Sequence, residues 1–273
     1  MIKQQCHAVL QENPIFLSFV ETLPQKFDSL GEIVHDARNQ LRKVEVADWG
    51  IQDLPEVMIK KYHGLFLFQR IWYSFFRAPK CRRAYNNTVE LRRRGLPAVE
   101  EVACVEVWSH GLFKYGFFIS KVGKGERMDS LIVKLKDKGE EIHKITHQAA
   151  LLVAHVHQHG VIYRDMNPGN LLCTHSSNSH EWQISLIDTN RARISASDSP
   201  LPLASCIPDL ILMNPILGIE DAFVNDYLHI RGFYSAKLCK DIRQIQYRKY
   251  ERKKPLKERL GRFKALYFKW LNK

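Results

Sequence analysis

The sequence lacks the cysteine pattern of a zinc site or a disulfide framework. Its 6 cysteines stand singly along 273 residues, and none belongs to a C-x-x-C pair. Thiolate zinc sites use closely spaced cysteine pairs, and disulfide-stabilised secreted domains are short and rich in cysteine. We therefore expect buried or inert thiols, and a fold stabilised by the apolar core that 45% hydrophobic residues can supply.

Long apolar segments are missing as well. No run of 18 apolar residues occurs, and the first turns of the chain contain Lys3, Glu12 and Asn13. A signal peptide or a membrane-spanning helix needs an uninterrupted apolar stretch. We therefore expect the protein to stay in the cytoplasm.

The positive charge is concentrated at the carboxyl end, where residues 237–273 hold 14 Lys or Arg against 3 Asp or Glu, within a net charge of +12. No zinc-finger, RRM or homeodomain pattern accompanies this charge, so we expect no nucleic-acid partner. Within residues 256–273 an apolar helical face is surrounded by Lys and Arg. This composition is typical of an interfacial helix on an anionic membrane surface, although an ordinary helix packed on the second lobe would share the pattern.

The hydrophobic patterns predict an α+β fold with two lobes. Residues 1–122 form a small N-lobe with an antiparallel sheet, and residues 123–273 form a mainly helical C-lobe. The predicted elements of the N-lobe are strands at 31–35, 41–47, 56–62, 102–107 and 115–122, with a helix at 75–94. In the C-lobe, apolar residues from Ile142 to Val156 recur at helical spacing, and Gly160 can end that helix.

One segment carries a recognisable chemical pattern. Tyr163-Arg164-Asp165 is followed by Asn170, and the apolar strand at 184–187 leads into Asp188. This is the catalytic-loop pattern of phosphoryl transfer, in which a carboxylate accepts the proton of the acceptor hydroxyl and oxygen ligands bind Mg²⁺. Asp165 fits the catalytic base, and Asn170 and Asp188 fit the metal ligands. The alternative is a solvated Asp in a turn and a second Asp that ends a strand.

Nucleotide-binding candidates lie in the first half of the chain. Residues 57–60 have the V-x-I-K form, in which the strand lysine, Lys60, pairs with the α- and β-phosphates. Lys61 would point to the opposite face of the strand. Glu90 is the single acidic residue between Phe75 and Gly95, so by elimination it is the predicted partner of Lys60. The alternative for Glu90 is a solvated helix charge.

The turn that would cover the phosphates lacks glycine. Residues 36–40 read Asp-Ala-Arg-Asn-Gln, without the glycines of G-x-G-x-x-G. Backbone amides of such a turn cannot approach phosphates as closely as those of a glycine-rich loop. We therefore predict that Arg38 or Asn39 contacts the nucleotide through its side chain.

These motifs together resemble the Kdo/WaaP-type lipopolysaccharide core kinases, a protein-kinase-like family of Gram-negative bacteria. The resemblance covers roughly residues 23–193. It rests on residues 31–34 with 38–39, 59–63, 82–85 leading to 94–97, 163–170 and 187–193. The last of these, Ile-Asp-Thr-Asn-Arg-Ala-Arg, is the most family-like.

The resemblance implies an ATP- and Mg²⁺-dependent kinase that phosphorylates a Kdo or heptose hydroxyl of inner-core lipopolysaccharide, with a lipid A-Kdo or core acceptor. It also implies a peripheral location on the inner face of the cytoplasmic membrane. Asn167 also favours a sugar over a peptide acceptor, because protein kinases usually carry Lys two residues after the base. The alternatives are an atypical protein kinase, or a non-catalytic pseudokinase that acts as a membrane-binding scaffold.

Overall fold

The computed structural model describes residues 1–36, 39–46, 48–52, 54–62, 66–176, 181–213 and 218–252. The chain divides into two compact units. The first contains Met1–Gly125 and Ser185–Ile194, and the second contains Glu126–Ile184 and the chain from Ser195 onward. The division into functional lobes at 1–122 and 123–273 stays a prediction. The compact units differ from these lobes in that Ser185–Ile194 packs with the first unit.

A six-stranded antiparallel sheet forms the centre of the first unit. Its strands are β1 (Ile2–Cys6), β2 (Glu32–Asp36), β3 (Gln40–Glu45), β4 (Glu56–Tyr62), β5 (Glu101–Ser109) and β6 (Leu112–Lys121). Their order in the sheet is β1-β5-β6-β4-β3-β2. β4 is therefore an inner strand, and its Lys60 lies opposite Leu41 of β3 and Phe118 of β6.

Three helices accompany this sheet: α1 (Pro14–Lys26), α2 (Leu67–Phe75) and α3 (Lys80–Arg93). The sequence-based helix at 75–94 was wrong at its start, because Phe75 is the last residue of α2 and α3 begins only after Pro79. A proline at the boundary of a helix is favoured, since it has no N–H to leave unsatisfied. Gly95, with φ of 72°, follows the end of α3 as expected for a left-handed terminating residue.

The apolar core of the first unit lies against both faces of its sheet. One cluster joins α1 to β3, β4, β5 and β6, and Phe16, Val57 and Phe117 are fully buried in it. A second cluster joins α3 to β4, β5 and β6, and it includes Cys81, Ala84 and Cys104. These two clusters cover the two faces of the sheet with helices, which fixes the strand that carries Lys60.

The second unit is mainly helical. Its helices are α4 (Met128–Lys134), α5 (Gly139–Gln158), α6 (Leu203–Leu210), α7 (Glu220–Ile230) and α8 at 236–252. α5 packs against α7, and its apolar stripe, including Ile145, Ala149 and Val156, is buried as the spacing predicted. Over the part of the chain that the structure covers, none of the helices combines the length and the apolarity that crossing a bilayer requires.

Short strands surround the polar loop of the second unit. They are β7 (Glu126–Arg127), β8 (Val161–Ile162), β9 (Leu171–His175) and β10 (Trp182–Leu186), and a last short strand, β11 (Arg193–Ile194), follows in the chain. β7, β9 and β10 form one sheet with β9 in the middle. The sheet therefore holds the carboxyl side of the loop that precedes β9.

Close packing of α3 on β6 generates a stability prediction. A Cβ on Gly116 would lie 2.4 Å from the Cys81 sulfur and 3.0 Å from the Val105 carbonyl oxygen. Gly116→Ala should therefore lower the free energy of unfolding by about 1–3 kcal/mol, because a packed core resists added volume. Urea unfolding followed by circular dichroism measures this change. Gly139→Ala is the control, since a Cβ there meets nothing within 4 Å, and equal stability of the two variants would contradict the packing.

Candidate active site

The loop between β8 and β9 is closed by its own side chains. The amide nitrogens of Asn167 and Asn170 both donate to the backbone carbonyl of Asp165, at 2.8 and 2.9 Å. The side-chain oxygen of Asn167 accepts a bond from the Gly169 amide at 3.1 Å and begins the short 3₁₀ turn Pro168–Asn170. The structure therefore brings Asp165 and Asn170 together within one braced loop, as the five-residue spacing predicted.

A buried carboxylate anchors the start of this loop. Asp209 of α6 is fully buried and accepts backbone bonds from Tyr163 and Arg164, both at 2.6 Å. Arg164 has a φ of 66°, an uncommon conformation for a residue with a side chain, which surrounding contacts must hold in place. The carboxylate of Asp209 provides such contacts on both sides of Tyr163–Arg164.

Asp209 is a functional residue that sequence reasoning missed. One signal could have identified it, because it is the single charged residue in the otherwise apolar or small helix Leu203–Leu210. An unpaired charge is rarely fully buried, so a lone acid on an apolar helix indicates a specific set of hydrogen bonds.

A buried histidine extends the set of hydrogen bonds around Asp209. His157 of α5 contacts Asp209 through Nε2 at 3.3 Å and hydrogen-bonds with the Tyr227 hydroxyl through Nδ1 at 2.7 Å. Burial lowers the pKa of His157, but hydrogen bonds to Asp209 and Cys206 outweigh it, and the net pKa lies above the usual 6.5. α5, α6 and α7 are thus joined at the point that supports the loop.

In the first unit, Lys60 pairs with Asp188. The ammonium nitrogen lies 2.7 Å from Oδ2 of Asp188, and both side chains are mostly buried, with exposures of 19% and 25%. The other carboxylate oxygen of Asp188 accepts a hydrogen bond from the Asn190 amide. Two residues that the sequence placed in separate motifs therefore meet at one point.

The segment that carries Asp188 is held by α3. Asn87 donates to the carbonyl of Thr189 at 2.8 Å, and Thr88 and Thr189 share a hydroxyl–hydroxyl bond of 2.8 Å. Asp188 itself has a φ of 63°. A left-handed aspartate is sparsely populated and costs about 1–3 kcal/mol, which contacts such as those from α3 must offset.

The predicted pairing of Lys60 with Glu90 is corrected by the structure. Both carboxylate oxygens of Glu90 accept bonds from its own helix end, from Arg93 and from Arg94, at 2.7 Å. These bonds, that from Arg93 first, lower the pKa of Glu90 to about 2. The prediction is wrong because elimination within one helix considers only residues near in sequence, whereas Asp188 reaches Lys60 from a distant segment.

The remaining predicted nucleotide contacts are those of Arg38 and Asn39. Asn39 lies in the bend between β2 and β3. Next to it, Gln40 donates to the Asp36 carboxylate at 3.2 Å. Arg38 lies outside the described residues, so its predicted contact with the nucleotide stays a prediction, as does that of Asn39.

The side chains of Asn170 and Asp188 suit a hard cation such as Mg²⁺. Carboxylate and amide oxygens are the ligands that Mg²⁺ prefers. Because the amide nitrogen of Asn170 is bound to the Asp165 carbonyl, its amide oxygen points away from that bond. Asp188 contributes a mostly buried carboxylate in the first unit. Both residues therefore have oxygen atoms of the required type.

Comparison with solved structures identifies the fold. A solved structure of WaaP in complex with acyl carrier protein aligns with 92% of this chain and 98% of its own, with a TM-score of 0.58 and 14% identity. Together with the antiparallel sheet and the helical second unit, this likeness confirms the predicted protein-kinase-like α+β fold.

Sequence comparison then gives the family. The model of the lipopolysaccharide kinase (Kdo/WaaP) family matches residues 52–198, more than half of the chain. The chain belongs to this family, which confirms the resemblance drawn from its motifs. A probable myosin light chain kinase of Dictyostelium discoideum is 26% identical over 110 residues, which are 40% of this chain and 28% of that protein. The chain thus spans about a quarter of that relative's length.

The Asp209 network generates a prediction about stability and its pH dependence. Asp209→Asn should lower the free energy of unfolding by about 2–4 kcal/mol, since one amide oxygen replaces two carboxylate acceptors in a buried site. The raised pKa of His157 contributes stability that is complete below pH 6.5 and is lost as the pH rises through the folded-state pKa. The variant should lose this dependence.

Urea unfolding at several pH values between 5.5 and 8.5 measures both effects. Asp198→Asn is the matched control, because Asp198 also accepts a histidine bond, from His159 at 2.7 Å, but is exposed. An exposed pair contributes about 1 kcal/mol or less. Equal effects of the two substitutions would contradict the anchoring role of Asp209.

Proposed function

We propose that this protein is an ATP-dependent kinase that transfers the γ-phosphate to a sugar hydroxyl, of Kdo or heptose, in inner-core lipopolysaccharide. Membership of the lipopolysaccharide kinase family supports the substrate class. The observation that carries the proposal is the braced loop, in which the amides of Asn167 and Asn170 fix the backbone of Asp165. Phosphoryl transfer depends mainly on such positioning.

Each candidate residue has a defined role in the proposed reaction. Asp165 accepts the proton of the acceptor hydroxyl, and Lys60 neutralises charge on the α- and β-phosphates. Asn170 and Asp188 would provide oxygen ligands for Mg²⁺, which would supply positive charge to the phosphates. Asp188 is paired with Lys60 at 2.7 Å, so nucleotide binding would require Lys60 to exchange a carboxylate for phosphate oxygens.

The residues of the loop favour a sugar acceptor over a peptide. Asn167 occupies the position where protein kinases usually carry Lys, and it is engaged with Asp165 and Gly169. The partial match to a probable myosin light chain kinase is compatible with kinase chemistry in general. An atypical protein kinase is therefore the second candidate, and a pseudokinase scaffold the third.

We also propose that the protein acts as a peripheral protein on the inner face of the cytoplasmic membrane. Residues 256–273, which lie outside the described residues, combine an apolar helical pattern with many cations. Such a helix binds anionic lipid through both burial and charge. A membrane location would place the enzyme beside a lipid-linked acceptor.

Kinase activity is tested by Asp165→Asn in the full chain. We expect the transfer of radiolabelled γ-phosphate to core lipopolysaccharide to fall by at least about a hundredfold, because the variant loses the catalytic base. Lys60→Met should reduce transfer as well, whereas Lys61→Met should not. Lys61 is the matched control, since it is the next residue of β4 and pairs with Asp28 at 3.2 Å.

The acceptor decides among the three candidates. Phosphate incorporation into a peptide but never into a Kdo- or heptose-bearing acceptor would favour the protein kinase. Unchanged biological activity of Asp165→Asn and Asp188→Asn in cells that lack the native chain would favour the scaffold. Mass spectrometry of the core oligosaccharide from those cells identifies the sugar that loses a phosphate.

The tail is tested by removing residues 256–273. We expect the shortened protein to bind vesicles containing phosphatidylglycerol more weakly than the full chain, and the difference to shrink as the salt concentration rises. Co-sedimentation at 0.05 and 0.5 M salt measures it. If both proteins bind equally at low salt, the tail has no such role.

A further inference from the structure

α2 of the first unit exposes an unusual number of large apolar side chains. Seven of them lie within residues 66–76, and their exposed fractions are Phe66 70%, Leu67 62%, Phe68 68%, Ile71 40%, Trp72 52%, Phe75 69% and Phe76 70%. No residue of the helix Leu67–Phe75 is buried. Isolated exposed apolar residues are common, but a contiguous patch of this kind marks an interaction surface.

Contacts with β6 fix which face of α2 points outward. The Arg70 guanidinium donates to the carbonyl of Phe113 at 3.1 Å, and the Ser74 hydroxyl accepts from the Phe113 amide at 2.8 Å. Tyr73 packs edge-on against the Phe113 ring at 6.2 Å. These three residues stand on one side of the helix, so the side with Phe68, Trp72 and Phe75 must face solvent.

This arrangement inverts the usual pattern of a surface helix. A helix of a water-soluble domain normally buries its apolar stripe and exposes its polar one. In α2 the polar Arg70 and Ser74 face the protein, and aromatic rings stack on one another outside it, as Trp72 and Phe76 do at 5.3 Å. The exposed rings therefore keep their apolar surface in contact with water, which is unfavourable. We expect a partner that buries this surface.

The charge around the patch is positive. Residues 66–89 contain five Lys or Arg and no Asp or Glu. Arg82 is neutralised by Glu106 at 2.6 Å, but Arg70 donates to an uncharged carbonyl and Arg77 is exposed. The patch thus combines aromatic side chains with cations, which is the composition of segments that insert at the interface of an anionic bilayer.

We propose that α2, with the flanking Phe66 and Phe76, is a membrane-docking surface that inserts its aromatic side chains into the headgroup region of an anionic phospholipid bilayer. This surface is separate from the tail at 256–273, and it lies in the unit that carries Lys60 and Asp188. The inference does not depend on which sugar is phosphorylated.

A bilayer fits these observations better than a folded partner. Aromatic residues and Arg are enriched in protein interfaces as well, but this segment has only cations and no acidic residue, which is the charge that an anionic lipid surface attracts. The family acts on lipopolysaccharide, a glycolipid that resides in a membrane. An insertion surface close to the enzyme's own sheet would hold the protein beside such a substrate.

The test uses the full chain and vesicles of phosphatidylethanolamine and phosphatidylglycerol. Phe68→Ser combined with Phe75→Ser should weaken vesicle binding by about tenfold, because two inserted rings are lost. The difference should persist at 0.5 M salt, which screens charges but not apolar insertion. The control is Val9→Ser with Val133→Ser, which also removes two exposed apolar residues, with exposures of 54% and 62%, and should change binding less than twofold.

A second measurement locates the contact. Brominated lipids should quench the fluorescence of the native chain more than that of Trp72→Phe, which keeps an apolar ring at the same position. Equal quenching together with unchanged binding of the double serine variant would overturn the proposal. It would also be overturned if the double variant abolished self-association, or binding to a purified acyl carrier protein, while vesicle binding stayed the same. Loss of kinase activity is not a readout here, so failure of the sugar-kinase proposal leaves this test intact.

Discussion

The geometry of the candidate loop between β8 and β9 depends on one buried carboxylate. Asp209 holds two consecutive backbone amides, those of Tyr163 and Arg164, at 2.6 Å. A fully buried acid is unfavourable unless hydrogen bonds satisfy it. Any loop conformation that removes the amides of Tyr163 and Arg164 from Asp209 is therefore disfavoured. The left-handed Arg164 follows from this constraint, and Asp165 comes next in the chain. The position of Asp165, the proposed catalytic base, is therefore set by a helix that begins about forty residues later.

The first unit uses the same physical strategy at Asp188. Like Arg164, Asp188 stands in an uncommon backbone conformation, and contacts from a distant helix hold its segment, through Asn87 and Thr88 of α3. Lys60 neutralises its charge. Arg164 and Asp188 thus share a principle, since hydrogen bonds from helices offset the uncommon backbone conformation at each candidate position.

Much of the fold follows from local patterns in the sequence. The strand at 56–62 agrees with β4, and the stripe from Ile142 to Val156 agrees with α5, because burial on one face imposes a period that the sequence must carry. β1 could not be read in this way. Its Ile-Lys-Gln-Gln-Cys sequence has little alternation, and the strand forms because β5 offers it an edge for pairing. Tertiary pairing overrides weak propensity in such cases.

In the candidate site too, some features follow from local sequence and others depend on the tertiary structure. The spacing of Asp165 and Asn170 was readable because one loop contains both. The partner of Lys60 and the role of Asp209 do not follow from local sequence, since both depend on segments that approach only after folding. Local sequence therefore predicts candidate residues for the chemistry, whereas the residues that position them require the tertiary structure.

α2 illustrates how a conflict between sequence and environment carries information. Its apolar residues would predict a buried helix, yet the bonds of Arg70 and Ser74 to Phe113 orient them toward solvent. Sequences that fold well agree with their environment at each level, so a disagreement of this size marks a position selected for something other than stability. Exposing seven large apolar side chains costs the isolated protein solubility. A surface retained at that cost is best explained by an apolar phase that it meets in use, and a lipid-linked substrate class provides one.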